Sequence, residues 1–300
     1  MRFLTGLAIA VTPVPLCAQS EALSLAYQLT HSVTVDPTFS PDGKRMVFIS
    51  VSLGREQLFA MNLDGSDPVQ LTRDDADHED PAWSPDGSTI AFVWIQGAVE
   101  RIYLMNADGT NPRPLTPPGV RTIHPNWSPD GTRVAYCTDD DLKPPYKNPA
   151  AIFSIEVRGG RITRLISGGI NTYPAWSPDG REIAFRRMVG EMNSEVFLAN
   201  ADGSGARNLS NHPAFDGWPA WSPDGKRIAF ASNRNANYQI FVMNRDGTDV
   251  RLVANTEGRA TAPQWAKDGK ALYFPVCKKV DFGQDCEIFT VKLPDALSRR

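Results

Sequence analysis

The chain has 300 residues, of which 41% are hydrophobic and 22% charged, and its formal net charge is −3. A pI of about 5.8 and the lack of a basic run exclude the electrostatic footprint of a nucleic-acid-binding protein. The 23 glycines and 24 prolines indicate a chain rich in turns.

The first residues have the pattern of an export signal. A charged start is followed by a mostly apolar run at 3–11 and by small Ala18. This pattern predicts a signal peptide over 1–18, cleaved after Ala18, and therefore a periplasmic or secreted protein. The apolar run is too short to span a bilayer, so no membrane span is expected. A lipoprotein acylated at Cys17 is the alternative, although bulky Leu16 precedes it where a small residue is expected.

One motif recurs throughout the rest of the chain at a spacing of about 45 residues, a period typical of solenoids, propellers and arrays. Its copies are DPTFSPDG (36–43), DPAWSPDG (80–87), HPNWSPDG (124–131), YPAWSPDG (173–180), WPAWSPDG (218–225) and APQWAKDG (262–269). A second Asp-Gly pair follows within most repeats, at Asp64, Asp108, Asp202 and Asp246. A motif that returns in every repeat is expected to build the fold rather than to perform chemistry.

Short apolar and aromatic runs lie between these turn signals. In the second repeat they are 81–84, 88–94, 101–106 and 113–116. Such runs, bounded by Asp-Gly, Pro and Asn, are typical of strands, and Asp-Gly favours a tight hairpin because Gly tolerates positive φ. Four antiparallel strands per repeat, here called a to d, predict one propeller blade. The sequence therefore predicts an all-β, six-bladed β-propeller, with the motif Trp of each blade packed against its neighbour.

The ring of blades needs a closing strand. The motif positions place the blades near residues 36, 80, 124, 173, 218 and 262, in a single domain over 19–300. The sixth repeat has three strands only, and YQLT at 27–30 resembles VQLT at 69–72, which ends the first repeat. We therefore expect residues 25–30 to form the outer strand of blade six and to cover its edge. A closed propeller of this kind is expected to be a monomer.

Two cysteines flank a hairpin loop of the last repeat. Cys277 and Cys286 stand at opposite ends of its stem. In an exported protein this placement makes them candidates for a structural disulfide, and two unrelated thiols are the alternative.

The two faces of the predicted disc differ. The a–b turns, all Asp-Gly, emerge on one face together with most c–d turns. The connections on the other face differ from repeat to repeat, and we call it the variable face. Its b–c loops are 50–56, 94–100, 138–150, 187–193, 232–238 and 277–286. Its d–a loops are 73–80, 117–123 and 211–217. Loops on a rigid scaffold are where specific function resides. The 138–150 loop contains the one insertion, Asp139-Asp140-Asp141 and the residues after it, which is either a surface loop or a partner contact.

The residue before each motif Pro is expected at the mouth of the central channel. We call these residues the channel ring: Asp36, Asp80, His124, Tyr173, Trp218 and Ala262. With His78 and Glu79 beside them, its first five members are the predicted partner-binding or ligand-binding residues. No cofactor is implied. The carboxylates leave open a divalent cation at the mouth, and a solvated acidic rim is the other interpretation because no spacing is diagnostic of a metal site.

The segments PAWSPDG, IAF, IYLMNADGT and PLT resemble the propeller repeats of the TolB family, over about residues 25–293. The resemblance implies a periplasmic propeller whose face binds a peptidoglycan-associated lipoprotein and whose channel mouth takes peptide segments. The family also has an N-terminal α/β domain that engages an inner-membrane partner, and residues 19–35 are too short for it.

Two further resemblances keep enzymatic alternatives open. Prolyl oligopeptidase-like enzymes have similar repeats and a G-x-S-x-G nucleophile elbow, whereas Gly203-Ser204-Gly205 falls in a predicted turn. Some secreted polysaccharide lyases have this architecture and hold a metal through channel histidines. The histidines of this chain are expected in four d–a connections on the variable face: His31, His78, His124 and His212.

The sequence as a whole predicts a non-enzymatic exported scaffold that binds an envelope protein or peptide through its variable face. The alternatives are a metal-dependent polysaccharide lyase and a carbohydrate-binding propeller that uses Tyr173 and Trp218 as stacking platforms.

Overall fold

Six antiparallel sheets, one for each sequence repeat, make up the described part of the chain. The structure is a computed structural model and describes residues 26–28, 34–52, 54–138, 149–191, 193–280, 283–294 and 297. The expected signal peptide with Cys17, the 139–148 part of the long loop and His31 lie outside the described residues.

The first three blades follow the chain order of their repeats. Blade one contains β2 (Thr34–Phe39), β3 (Arg45–Ser52), β4 (Arg55–Asn62) and β5 (Val69–Gln70). Blade two contains β6 (Asp77–Trp83), β7 (Thr89–Gln96), β8 (Val99–Asn106) and β9 (Arg113–Pro114). Blade three contains β10 (Thr122–Trp127), β11 (Arg133–Thr138), β12 (Ile152–Glu156) and β13 (Ile162–Ile166).

Blades four and five repeat this order, and blade six takes one strand from the N-terminal region. Blade four contains β14 (Asn171–Trp176), β15 (Glu182–Met188), β16 (Ser194–Asn200) and β17 (Arg207–Asn208). Blade five contains β18 (Asp216–Trp221), β19 (Arg227–Asn235), β20 (Asn237–Asn244) and β21 (Arg251–Ala254). Blade six contains β22 (Arg259–Ala260), β23 (Gln264–Trp265), β24 (Ala271–Val280), β25 (Gly283–Lys292) and β1 (Ala26–Gln28).

Strand β1 closes the ring. It pairs antiparallel with β25, with Ala26 opposite Val291 and Gln28 opposite Phe289. The N-terminal strand thus becomes the outer strand of blade six and covers the edge of β25. Both the all-β six-bladed fold and its closure by the N-terminal strand are confirmed.

The repeated Ser-Pro-Asp-Gly segment forms the a–b turn. In blade one, Ser40 Oγ donates to Asp42 Oδ1 at 2.6 Å, and the same carboxylate accepts the Lys44 N–H at 3.0 Å. The following glycine adopts a positive φ of 72° at Gly43, which a residue with a Cβ rarely takes. The same serine–aspartate bond, at 2.6 Å, recurs in blades two to five. The recurring letters are therefore explained by one turn geometry.

Three of the five motif tryptophans join neighbouring blades by a hydrogen bond, whereas the buried indole N–H groups of Trp83 and Trp176 make none within the described residues. The indole N–H of Trp127 donates to the Ala82 carbonyl of the preceding blade at 3.0 Å. Trp221 and Trp265 make the equivalent bond to Ala175 and Ala220, at 3.1 and 3.0 Å. Strand b is an inner strand of its blade, between strands a and c. Its aromatic residue is almost fully buried in the hydrophobic core, as for Phe92, Phe185, Phe230 and Phe274.

Strand a of every blade is interrupted where the motif proline occurs. In blade two the pairing of β6 with β7 shifts between Glu79 and Ala82, and the other blades shift at the same place. The residue before each proline has a positive φ, between 42° at Ala262 and 54° at Trp218. This is the left-handed region, which is unusual for residues other than Gly and more so before Pro. The bulge is thus part of the repeated scaffold.

A disulfide joins Cys277 to Cys286 across the β24–β25 hairpin. In the part of the chain that the structure describes, no helix has the length and apolar character that crossing a membrane requires.

Candidate functional site

The channel ring lines one cavity on the axis of the propeller. Its six residues and the prolines that follow them enclose a space of about 120 Å³, together with Asn126, Ala175 and Gln264. The structure therefore brings together the five predicted ring residues Asp36, Asp80, His124, Tyr173 and Trp218. Because the bulge in strand a is the same in every blade, the scaffold fixes where these residues stand. Their differing side chains decide the chemistry.

Blades one and two supply carboxyls to this site, which we call the acidic group: Asp36, Glu56, Glu79 and Asp80. Burial and, to a smaller extent, the nearby charge of Asp36 raise the pKa of Asp80 to about 7. Burial also raises the pKa of Glu79 to about 9, with contributions from Asp80 and from a hydrogen bond with Glu56. The pKa of Asp36 is raised to about 6, by burial and by Glu56. Glu79 therefore retains its proton near neutral pH, and Asp80 is partly protonated there. A cationic group nearby would favour the ionised form of both carboxyls.

His124 stands between the acidic group and the aromatic part of the ring. Its backbone N–H donates to Asp80 Oδ2 at 3.1 Å, and its ring centroid lies 3.7 Å from that of Tyr173. Burial lowers the pKa of the imidazole well below its usual range, and the positive charge of Arg186 lowers it further. The ring is therefore neutral at physiological pH.

The thiol of Cys137, the imidazole of His124 and the carboxylate of Asp80 lie in a row, with the imidazole in the middle. His124 Nδ1 lies 3.1 Å from Cys137 Sγ, and Nε2 lies 3.8 Å from Asp80 Oδ2. The residue types match a thiol nucleophile with its base. However, Cys137 has 0% exposure, so a substrate atom has no path to its sulfur in this conformation. We regard the array as a buried polar network.

Blades four and five supply an aromatic cluster, which consists of Tyr173, Phe215, Trp218 and Tyr238. The Tyr173 and Trp218 ring centroids are 5.5 Å apart, and Phe215 and Tyr238 lie 5.7 and 5.9 Å from Trp218. The guanidinium of Arg186 lies over Tyr173 at 4.8 Å, and that of Arg259 lies over Tyr238 at 4.5 Å. The site is thus acidic towards blades one and two, and aromatic and cationic towards blades four to six.

The other predicted site residues lie beside the cavity. His78 is 1% exposed; its Nε2 is 3.3 Å from Asp74 Oδ1 and its ring packs on Phe92. Burial lowers the pKa of His78. Glu79 is not among the residues that line the cavity, and it interacts with Asp80 and with Glu56. Sequence reasoning missed Arg186, Arg259 and Glu56, which come from strands b and c and from the start of blade six.

A metal needs converging donors, and the described residues do not supply them. Among those residues, no three His, Cys, Asp or Glu side chains are grouped so that they could hold a metal ion. The His78 imidazole lies next to Asp74 and the His124 imidazole lies next to Asp80, so the two rings contact different carboxylates. The described histidines therefore do not form a donor set that fits a histidine-ligated metal in the channel.

Solved structures with the same fold include TolB proteins and an oligogalacturonate lyase. The putative TolB of Agrobacterium tumefaciens superposes with a TM-score of 0.70 at 25% identity, over 88% of this chain and 92% of that one. TolB of Acinetobacter baumannii gives a TM-score of 0.65 at 20% identity, over 78% of this chain and 57% of that one. An oligogalacturonate lyase in complex with manganese gives a TM-score of 0.60 at 14% identity, over 96% of this chain and 99% of that one. At this identity the similarity shows the fold alone.

Sequence comparison assigns the family. A comparison with curated proteins found no match. The family described as the TolB beta propeller domain matches residues 25–144 and 98–283. These matches span most of the chain and coincide with the repeats that form the blades, so the chain belongs to the TolB beta propeller domain family.

Proposed function

We propose that this chain is an exported, non-enzymatic propeller that binds a protein or peptide partner at the channel ring and on the variable face around it. One observation carries the proposal: six positions of identical backbone geometry hold Asp, Asp, His, Tyr, Trp and Ala around one cavity. A scaffold with the same turn in every blade, but with different residues at the channel mouth, is suited to recognising one ligand.

The size of the cavity favours an extended segment. About 120 Å³ admits a side chain or a short stretch of peptide rather than a folded domain. We expect the rest of the partner to contact the variable-face loops. The TolB resemblance makes a peptidoglycan-associated lipoprotein the first partner to test, with the periplasm as its location and a monomer as the working form.

The charges of the site set the chemistry of that segment. The raised pKa values of Asp36 and Asp80 mean that a cationic group can displace protons from the acidic group. We therefore expect binding of a lysine-containing or arginine-containing segment to strengthen as the pH rises from 5 to 8.

The rings of the aromatic cluster are already engaged, which bears on the carbohydrate-binding alternative. Tyr173 contacts His124 and Arg186, and Trp218 contacts Arg186 and Arg259. A sugar that stacked on either ring would have to displace one of these neighbours. This arrangement supports a peptide rather than a glycan as the ligand.

Affinity capture from a solubilised envelope fraction, with the purified protein as bait, tests the proposal, and the same preparation is analysed for metals. We expect an envelope protein to be retained. One divalent metal per chain with no retained protein would overturn the proposal and favour the lyase. Hydrolysis of a peptide or glycan that is lost in His124→Ala or Asp80→Asn would also overturn it.

A further inference from the structure

One arginine occupies a core position that the other blades fill with apolar residues. The position follows the buried aromatic residue of strand b, and its six occupants in blade order are Ile49, Val93, Cys137, Arg186, Ala231 and Pro275. All six are buried, Arg186 with 9% exposure. Charged residues are rarely buried to this degree without a partner, so Arg186 requires an explanation.

Arg186 has no anionic partner within the described residues. Its Nε is buried and makes no hydrogen bond, and no described carboxylate forms an ion pair with it. The Oγ1 of Thr172, which stands opposite Arg186 on strand a, is also buried without a partner. By contrast, Arg234 in the next blade is paired with buried Asp216 at 2.8 Å. A buried guanidinium that lacks such a partner is destabilising unless something else supplies the negative charge.

The aromatic cluster holds this cation in place. The Arg186 guanidinium lies 4.8 Å from the Tyr173 ring, 5.4 Å from Phe215 and 5.8 Å from Trp218. Ring faces attract the cation, but they leave its planar N–H donors available. Arg259 is exposed, and its guanidinium lies 5.7 Å from the Trp218 ring. Two guanidinium groups thus lie within 6 Å of one tryptophan of the channel ring.

We infer that Arg186, supported by Arg259, is the anchor for a carboxylate of the bound segment. A guanidinium presents parallel N–H donors that match the two oxygens of a carboxylate. A single negative charge suits this site better than a phosphate, because Asp36 and Asp80 across the ring, when ionised, would repel a dianion more strongly than a monoanion. The carboxylate comes either from an Asp or Glu side chain or from a peptide C-terminus. This inference rests on the proposed function, since it names the group that the channel ring recognises.

Blocked peptides test the anchor directly. The purified protein is titrated with acetyl-Gly-Asp-Gly-amide and acetyl-Gly-Asn-Gly-amide, and with acetyl-Gly-Gly-Gly as free acid and as amide. Binding is followed by the Trp218 indole N–H resonance, which is identified by its absence in Trp218→Phe. We expect at least one acid to bind about tenfold more tightly than its amide counterpart. A preference within the Asp and Asn pair would identify a side-chain carboxylate, and a preference within the free-acid and amide pair would identify a C-terminal carboxylate.

Variants decide whether Arg186 is responsible. Arg186→Met fills similar volume without charge, and Arg186→Ala places there the residue that blade five has. Both variants should lose the tenfold preference. The Arg186→Met variant should also have a denaturation midpoint at or above that of the wild type, because it removes an unpaired buried charge. Arg73→Ala, which removes an exposed positive charge from the same face, should keep the preference. Equal binding of acids and amides by the wild type, or a preference that survives in both Arg186 variants, would overturn the inference.

The outcome separates this inference from the proposed function. If the wild type and Arg186→Met capture an envelope partner equally well, the function stands and the anchor is wrong. If the acid preference depends on Arg186 but no envelope protein is captured, the anion site is real and the proposed function is wrong.

Discussion

The acidic group is the residue-scale feature with the most direct thermodynamic consequence. The pKa of Glu79 is raised from an ordinary 4.5 to about 9, mainly by burial. Between these two values the folded protein holds this proton and the unfolded chain has lost it. The unfolded chain therefore binds fewer protons, and stability falls as the pH rises through this range.

Replacement of Glu79 by Gln removes this penalty. We expect Glu79→Gln to match the wild type near pH 5 and to be more stable at pH 9, by several kcal/mol. Urea unfolding at pH 5, 7 and 9 measures the difference. Glu257→Gln, which alters an exposed carboxylate, should leave the slope with pH unchanged. An identical slope in Glu79→Gln and the wild type would show that Glu79 ionises normally in the folded state.

The sequence predicted the members of the channel ring because each occupies the same place in a repeated motif. Arg186 lies on strand b, outside that motif, where the apolar pattern predicts a strand and not a site residue. Alignment of the six b strands does show an Arg where five blades have Ile, Val, Cys, Ala or Pro. The contact of Cys137 with His124 was not available, because it depends on how strands a and b are aligned across the bulge.

Contacts between neighbouring blades are the feature that matters at the scale of the element. The turn between β16 and β17 contains Gly203, with a φ of +86°. A Cβ at this position would lie 1.9 Å from the Leu165 carbonyl oxygen of blade three, so the backbone would have to move. The glycine of this turn is therefore required by packing between blades as well as by the hairpin.

Two glycine variants separate these effects. We expect Gly203→Ala to lower the free energy of unfolding by roughly 3 kcal/mol, from strained φ together with overpacking. Gly160→Ala changes a glycine of similar φ, +67°, with open space around it, and should cost only about 1 kcal/mol. Chemical denaturation of the two variants measures both costs. Equal losses would mean that the contact with blade three does not constrain the turn.

The whole molecule is held together by ring closure through β1. The resemblance of YQLT to VQLT predicted this strand, and its pairing with β25 confirms the prediction. The sequence could place the strand because the d strands share a local pattern. It could not show how the charges divide around the channel, since that division arises only when six distant segments meet.

Removal of the closing strand tests its contribution. A chain that starts at residue 31 should unfold at a lower temperature than one that starts at residue 25, because blade six loses its outer strand. It should also associate at high concentration through the uncovered edge of β25. Calorimetry and light scattering measure the two effects. Equal melting temperatures and a monomeric short chain would show that closure does not depend on β1.

The central claim is that a partner enters the channel ring, and a channel-filling variant tests it most directly. Ala262→Trp puts into blade six the residue that blade five already holds at this position, with a similar positive φ. Lys226→Trp adds the same ring to the exposed a–b turn of the other face. In envelope capture, we expect the wild type and Lys226→Trp to retain the same partner and Ala262→Trp to lose it. Retention of that partner by Ala262→Trp at the wild-type level would contradict binding in the channel.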